Sequence, residues 1–156
     1  AECTISVNTD AYLPDSYIPS SAQRMALYKK ISHIETARDV EDLYDELCDR
    51  YGEPPSPALF LLDISLLRAR ASAAGITAIT QDANEVRIIP AEFDVEIWSE
   101  LAETCRGKLH VVLASKPYLT LKLRPNDDVI ETLCELFKKY LQISANNAGQ
   151  NDTKGV

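Results

Sequence analysis

Asp42, Asp45, Glu46 and Asp49 fall at i, i+3, i+4 and i+7. On a helix that spacing puts four carboxylates on one face. No Lys or Arg lies between Asp39 and Asp49 to relieve the charge by i, i+4 pairing. Glu46 and Asp49 also fall toward the end of the helix, where the carbonyl end of the dipole disfavours a carboxylate by a few tenths to about 1 kcal/mol. The chemistry such a stripe supports is recognition: carboxylates accepting charge-assisted hydrogen bonds from guanidinium or ammonium groups of a basic partner. The plain alternative is a solvated acidic face, which charge runs usually are. Arg24, Lys29 or Lys30, on the preceding helix, could neutralise it from within.

Catalytic and metal chemistry find little footing. A phosphate-binding loop needs clustered glycines so that backbone N–H groups can wrap the phosphates. The five glycines are scattered, and Gly107-Lys108 is followed by Leu109. No G-x-S-x-G elbow occurs. The two histidines, His33 in the first predicted helix and His110 in a strand, have no Cys or carboxylate at ligand spacing. Asp127-Asp128 could hold a metal or serve as an acid/base pair, but a helix N-terminus accounts for both. Cys3, Cys48, Cys105 and Cys134 are far apart with no CxxC pair, so no zinc site is expected. The last three fall on apolar helix stripes and read as thiols packed as small hydrophobes, in keeping with a reducing cytoplasm. The sequence gives no ground for an enzyme, a cofactor or a metal.

The elements that would position the acidic stripe are legible from periodicity. Cys3, Ile5 and Val7 alternate with polar residues as in a half-buried strand. An apolar arm with Tyr12, Leu13, Tyr17 and Ile18, broken by Pro14 and Pro19, is expected to lie on the core. Ser20 and Gln23 form a capping-box pattern opening a first helix with Leu27, Tyr28, Ile31 and Ile34 inward. The second helix, with Asp39 as its expected N-cap, buries Val40, Leu43, Tyr44, Leu47, Cys48 and Tyr51 and ends at Gly52. A third helix follows the turn Glu53-Pro54-Pro55-Ser56-Pro57 and stops at Gly75; it is apolar nearly all round and belongs at the centre of a core. Two hairpins, Ile76–Thr80 with Glu85–Pro90 and Leu109–Ala114 with Tyr118–Arg124, flank a helix capped by Asp94 and closed by Gly107. A last helix capped by Asn126 packs Ile130, Leu133, Cys134, Phe137 and Leu141 inward. The fold class is α+β: a mostly antiparallel sheet packed against several helices, an N-terminal helical half, two hairpins and a C-terminal helix. Residues 1–143 are expected to form a single domain, and 144–156, without apolar period, a flexible tail.

Net charge is −8, from 24 acidic and 16 basic side chains. That balance repels phosphate backbones unless cations are concentrated somewhere. Arg68 with Arg70, and the stretch Lys116–Arg124, are the densest clusters, and neither carries stacking aromatics at useful density. Direct nucleic-acid binding is disfavoured. No stretch is long and apolar enough to span a bilayer, and no leader peptide opens the sequence. Without an initiator Met, and beginning beside a strand, the chain reads as a segment of a longer protein.

The run Asp10-Ala-Tyr-Leu-Pro-Asp-Ser-Tyr-Ile-Pro19, then Arg24, then Leu27-Tyr-Lys-Lys-Ile31, resembles the start of the C-terminal domain of bacterial transcription-repair coupling factors. The resemblance continues through Glu46-Leu-Cys-Asp-Arg-Tyr-Gly52 and the proline-rich turn to the long helix ending at Ala74-Gly-Ile76. It is more loosely kept in Lys116-Pro-Tyr-Leu-Thr-Leu-Lys-Leu123. Cys48 stands where an aliphatic residue is usual. The resemblance implies a parent that is an ATP-driven DNA translocase acting on stalled RNA polymerase and recruiting the damage sensor UvrA in nucleotide excision repair. It further implies a non-catalytic, autoinhibitory interaction domain that packs on the UvrA-recruiting N-terminal domain of the same chain. Glu46 and Asp49, flanked by Asp42 and Asp45, would then face arginines of that domain. Two other readings stand beside it: a constitutive structural or oligomerisation domain using the Tyr12–Ile18 arm, and a small enzyme with a site assembled from distant loops.

Overall fold

The computed structural model describes residues 2–154, with side chains up to Gln150. The chain divides into two compact units, one of Asn8–Ala69 and one joining the N-terminal stretch through Val7 to the segment from Arg70 onward.

The first unit is helical. It contains α1 (Ser21–Ile31), α2 (Ala37–Tyr51) and most of α3 (Ser56–Ala73). Leu13 and Ile18 of the arm pack with Leu27, Ile31, Ile34, Leu47, Ala58, Leu62 and Leu66 in one apolar cluster. The arm is fixed by its backbone as well. Tyr12 N–H donates to the Pro57 carbonyl at 3.1 Å, and Leu13 N–H donates to the Tyr28 phenol oxygen at 2.8 Å. Arg24 Nη1 donates to the carbonyls of Ile18 (2.6 Å) and Pro19 (3.0 Å), which cannot enter a ladder in this proline-broken stretch. Of the arm's large residues only Tyr12 is exposed. Along α3, Leu62, Ile64, Leu66 and Leu67 are all buried, and the buried Ser65 hydroxyl donates to the Leu61 carbonyl at 2.8 Å.

The second unit is a five-stranded sheet with helices: β1 (Thr4–Ser6), β2 (Ile76–Asp82), β3 (Glu85–Pro90), β4 (Leu109–Val112) and β5 (Tyr118–Lys122), in the order β1-β2-β3-β5-β4. β1 runs parallel to β2, with Thr4 opposite Ala78; all other pairs are antiparallel. The expected α+β class with a mostly antiparallel sheet is the observed one. A register shift between Ile76 and Ala78 lets Ile76 and Ile79 both turn inward, which strict alternation forbids. They meet Val86, Ile88, Leu119 and Leu121 in the buried set. Trp98 of α4 (Val95–Thr104) is fully buried, edge-on to Phe137 at 6.4 Å and tilted against Tyr140 at 4.8 Å, both on α5 (Val129–Lys154).

Several boundaries depart from the sequence reading, each for a local reason. Ser20 does cap α1, its hydroxyl accepting from Gln23 N–H at 3.2 Å, but the Gln23 side chain accepts instead from the Tyr51 phenol at 3.1 Å. The N-cap of α2 is Thr36, not Asp39. Asp39 is the N3 partner, whose carboxylate accepts from the N–H groups of Glu35 and Thr36, both at 3.0 Å. Asp128 rather than Asn126 caps α5, accepting from Glu131 N–H at 3.0 Å. His33 lies just beyond α1, exposed. The last helix continues from the apolar stretch through residues 144–154, the part of the chain without an apolar period. Elongating a helix already nucleated by packing is far cheaper than starting one. The final two positions of the expected 144–156 tail lie outside the described residues.

Candidate interaction surface

α2 is held at both ends and along its inner face, and those constraints aim the acidic side chains. Its N-terminus is closed by the reciprocal Thr36–Asp39 box. Its C-terminus ends at Gly52, whose φ of +82° suits a residue without Cβ. Leu47 is fully buried, with Val40, Leu43 and Tyr51 packed against the same cluster. The Tyr17 phenol shares its proton between the carbonyls of Leu47 (3.2 Å) and Gly52 (2.7 Å), the second a cap carbonyl outside the helix ladder. Tyr44 and Cys48, expected inward, sit at the edge of this face: Tyr44 is exposed and Cys48 half-buried.

The four predicted site residues are not equivalent. Glu46 is half-buried and paired within the unit: its Oε1 accepts from Lys30 Nζ at 2.7 Å, and Arg50 Nη1 stands 4.0 Å away. Of the three cations that could have relieved the stripe, Lys30 does so, while Arg24 is engaged with the arm's carbonyls. A partly exposed pair of this kind contributes about 0–1 kcal/mol. Asp42, Asp45 and Asp49 are exposed and, among the described residues, form no ion pair. The unneutralised part of the stripe is therefore these three aspartates. Lys30, Asp42 and His33 also line one shallow depression between α1 and α2.

Nearby titrations reinforce the local charge pattern. Two backbone N–H donors, those of Glu35 and Thr36, hold the Asp39 carboxyl below the usual carboxylate value. Burial, followed by the charges of Cys48, Tyr51 and Tyr44, pushes the Tyr17 phenol up. A side-chain hydrogen bond with Cys48 raises Tyr44.

The other residues singled out by type have structural employment. Asp127 Oδ2 accepts from Arg124 N–H at 2.7 Å and faces Lys108 Nζ at 3.5 Å; that backbone donor first, then Lys108, lowers its pKa. Arg70 Nη1 donates to the Cys134 carbonyl at 3.2 Å. His110 is exposed on β4, opposite Thr120. All four cysteines are thiols outside any disulfide; Cys3 and Cys134 are buried, and Cys48 and Cys105 only half-buried. Among the described residues no group of three or more His, Cys, Asp or Glu is placed to hold a metal ion, and no helix is long and apolar enough to cross a membrane. Sequence reasoning missed Thr36, the Tyr17 anchor and the Arg50 approach to Glu46. Thr36, three residues before a carboxylate, and Arg50, four residues after Glu46, carried local signals; the Tyr17 anchor carried none.

Comparison with known proteins bears on this architecture. The family model for the TRCF domain matches residues 7–95, which include all of α2. The transcription-repair-coupling factor of Bacillus subtilis (strain 168) is 31% identical over 145 residues, covering 88% of this chain and 12% of that protein. That of Staphylococcus aureus (strain USA300) is 38% identical over 78 residues, covering 50% of this chain and 7% of the relative. The chain thus spans only a small part of the relatives it matches. A crystal structure of the C-terminal domain of transcription-repair coupling factor superposes with a TM-score of 0.85 at 24% identity, over 94% of this chain and 96% of that one, a likeness of fold. With its family model matched over more than half of its length, the chain belongs to the TRCF domain family of transcription-repair coupling factors.

Proposed function

We propose that this chain is a non-catalytic regulatory domain of a transcription-repair coupling factor, acting in transcription-coupled nucleotide excision repair. In this reading residues 1–143 work as one interaction domain, which docks the acidic face of α2 on the UvrA-recruiting N-terminal domain of its own parent. The parent is an ATP-dependent DNA translocase of the cytoplasm that meets RNA polymerase through other domains, and docking hides the UvrA-binding surface until the motor is engaged. No cofactor, metal, membrane or direct nucleic-acid contact is part of this role.

The observation that carries the reading is the row Asp42, Asp45, Asp49: exposed carboxylates on a helix fixed at both ends, with no cation of the unit answering them. Two neighbouring carboxylates of the face, Glu46 and Asp49, lie close to one turn apart and suit two guanidinium groups side by side. Glu46 brings Lys30 with it, so an arriving arginine must share or displace an ammonium that is itself exposed. Oligomerisation through the arm has less support, since Leu13 and Ile18 turn into their own unit.

The test uses the parent protein. Glu46→Ala with Asp49→Ala leaves the fold intact and removes the charged contact, so the variant binds UvrA more tightly than the unmodified parent without DNA engagement. Truncation of the domain does the same in a pull-down. If the normally folded double variant binds UvrA no better than the parent, the stripe is a solvated face.

A further inference from the structure

The second unit carries a concentration of opposite charge that its sequence does not display. A cavity of about 360 Å³ is rimmed by Arg106, Lys108, Arg124 and Lys139. Arg106 follows the end of α4, Lys108 precedes β4, Arg124 follows β5 and Lys139 lies on α5. Leu121 and Leu136, both buried, seal the floor, and Glu135 is the one carboxylate in the lining. Among the described residues Arg106, Arg124 and Lys139 form no ion pair. In a chain of net charge −8, three cations outside any ion pair, gathered around one concavity whose lining holds a single carboxylate, stand against the average of the surface.

The backbone there is also unusual. Arg106 has φ +49° and Gly107 φ +80°, successive left-handed residues. A non-glycine residue in that region costs about 1 kcal/mol or more, and such positions cluster at ligand-binding turns.

We propose that this cavity is a docking site for an acidic peptide segment, its carboxylates seated among Arg106, Arg124 and Lys139. One lining cation already faces a carboxylate outside the lining: Lys108 stands 3.5 Å from Asp127, which also takes the Arg124 backbone N–H. Guanidinium groups offer paired N–H donors that match a carboxylate's two oxygens. A cavity of this volume, at the lower end of ligand-binding pockets, fits a few side chains rather than a continuous strand. Nucleic acid is a poorer occupant. Its backbone presents one charge per about 1.7 Å in a duplex and would run on from the cavity over a chain whose net charge is −8. A short peptide meets only the local field, because charges beyond about 8 Å are screened at physiological salt. The inference is independent of the role assigned to α2.

Fluorescence anisotropy with the 156-residue chain tests it. The probes are a fluorescein-labelled Glu/Asp peptide, its Gln/Asn counterpart and a labelled oligothymidylate. The acidic peptide binds and the amide peptide does not. Arg124→Gln with Lys139→Gln, both exposed positions, weakens binding at least about tenfold, the equivalent of losing one charge-assisted bond. Arg106→Gly, which keeps the left-handed turn, weakens it as well. Unchanged circular dichroism shows that each variant folds. The site is not a peptide site if the variants bind the acidic peptide normally, or if oligothymidylate binds as tightly. Concentration-dependent self-association, abolished by the same variants and without peptide binding, overturns it equally.

Discussion

The α2 face and the cavity bounded by α4, β4, β5 and α5 both leave charge unanswered, with opposite signs and different construction. The three unpaired aspartates of α2 come from one helix, so their alignment follows from 3.6-residue periodicity alone. The cations of the cavity come from three places along the chain, Arg106 with Lys108, Arg124, and Lys139, and meet only after the sheet has closed. A charge stripe on one element is readable in a sequence; a charge cluster built by topology is not. The supports differ too. α2 is positioned by side chains reaching backbone carbonyls, as Tyr17 reaches Leu47 and Gly52, whereas the cavity rests on strand ladders and the Trp98 cluster.

Removing the buried supports of either region has the largest effect. Trp98→Ala, at the fully buried indole between Phe137 and Tyr140, lowers stability by about 3–5 kcal/mol in urea unfolding. Leu47→Ala empties the only fully buried position of α2 and lowers it by about 2–5 kcal/mol. A loss below about 1 kcal/mol for Leu47→Ala would mean that α2 is not docked through this residue. Thr36→Ala opens the reciprocal box and is expected to cost about 1 kcal/mol by the same measurement, with lower helicity by circular dichroism.

Substitutions at the charges themselves sharpen the contrast with much smaller effects. Asp45→Asn with Asp49→Asn leaves stability unchanged or raises it by a few tenths of a kcal/mol, because neither carboxylate has a partner in the unit and Asp49 sits near the carbonyl end of α2. A clear loss would reveal an ion pair that the structure lacks. Smallest is an acid-side effect. Asp39 and Asp127 both have folded pKa values below the usual 3.8, so each stabilises the fold above its unfolded value. That contribution disappears as pH falls below 3.8 through the lowered folded values. Asp39→Asn and Asp127→Asn should each flatten the stability–pH curve in that acid range and leave its neutral limb parallel to that of the unsubstituted chain.

Much of the architecture was legible because it is local. The helix stripes, the Gly52 stop, the Asp94 cap and both hairpins follow from periodicity and turn chemistry. The misplaced caps share one cause. Thr36 and Asp39, or Asn126 and Asp128, are all competent N-cap residues, and which one ends up outside the helix depends on where tertiary packing starts the first turn. The stripe itself was readable, but its partial neutralisation was not decidable. Arg24, Lys29 and Lys30 were equal in the sequence until the arm's carbonyls took Arg24. Of the basic run Lys116–Arg124, only Arg124 reaches the cavity. The continuation of α5 beyond its apolar stripe had no periodic signature at all.

The parallel pairing of β1 with β2 has a consequence for how the chain assembles. Thr4 finds its register opposite Ala78, and everything between them belongs almost wholly to the helical unit. During synthesis the first strand emerges early and must wait, unpaired, until that whole excursion has been delivered. The entropy of closing so long a loop is on the order of 4 kcal/mol if the intervening chain is still unfolded. A helical unit that condenses first shortens the effective loop and brings the strand ends nearer. Vectorial synthesis therefore favours the helical unit as the earlier folder, with β1 among the last strands to join its sheet.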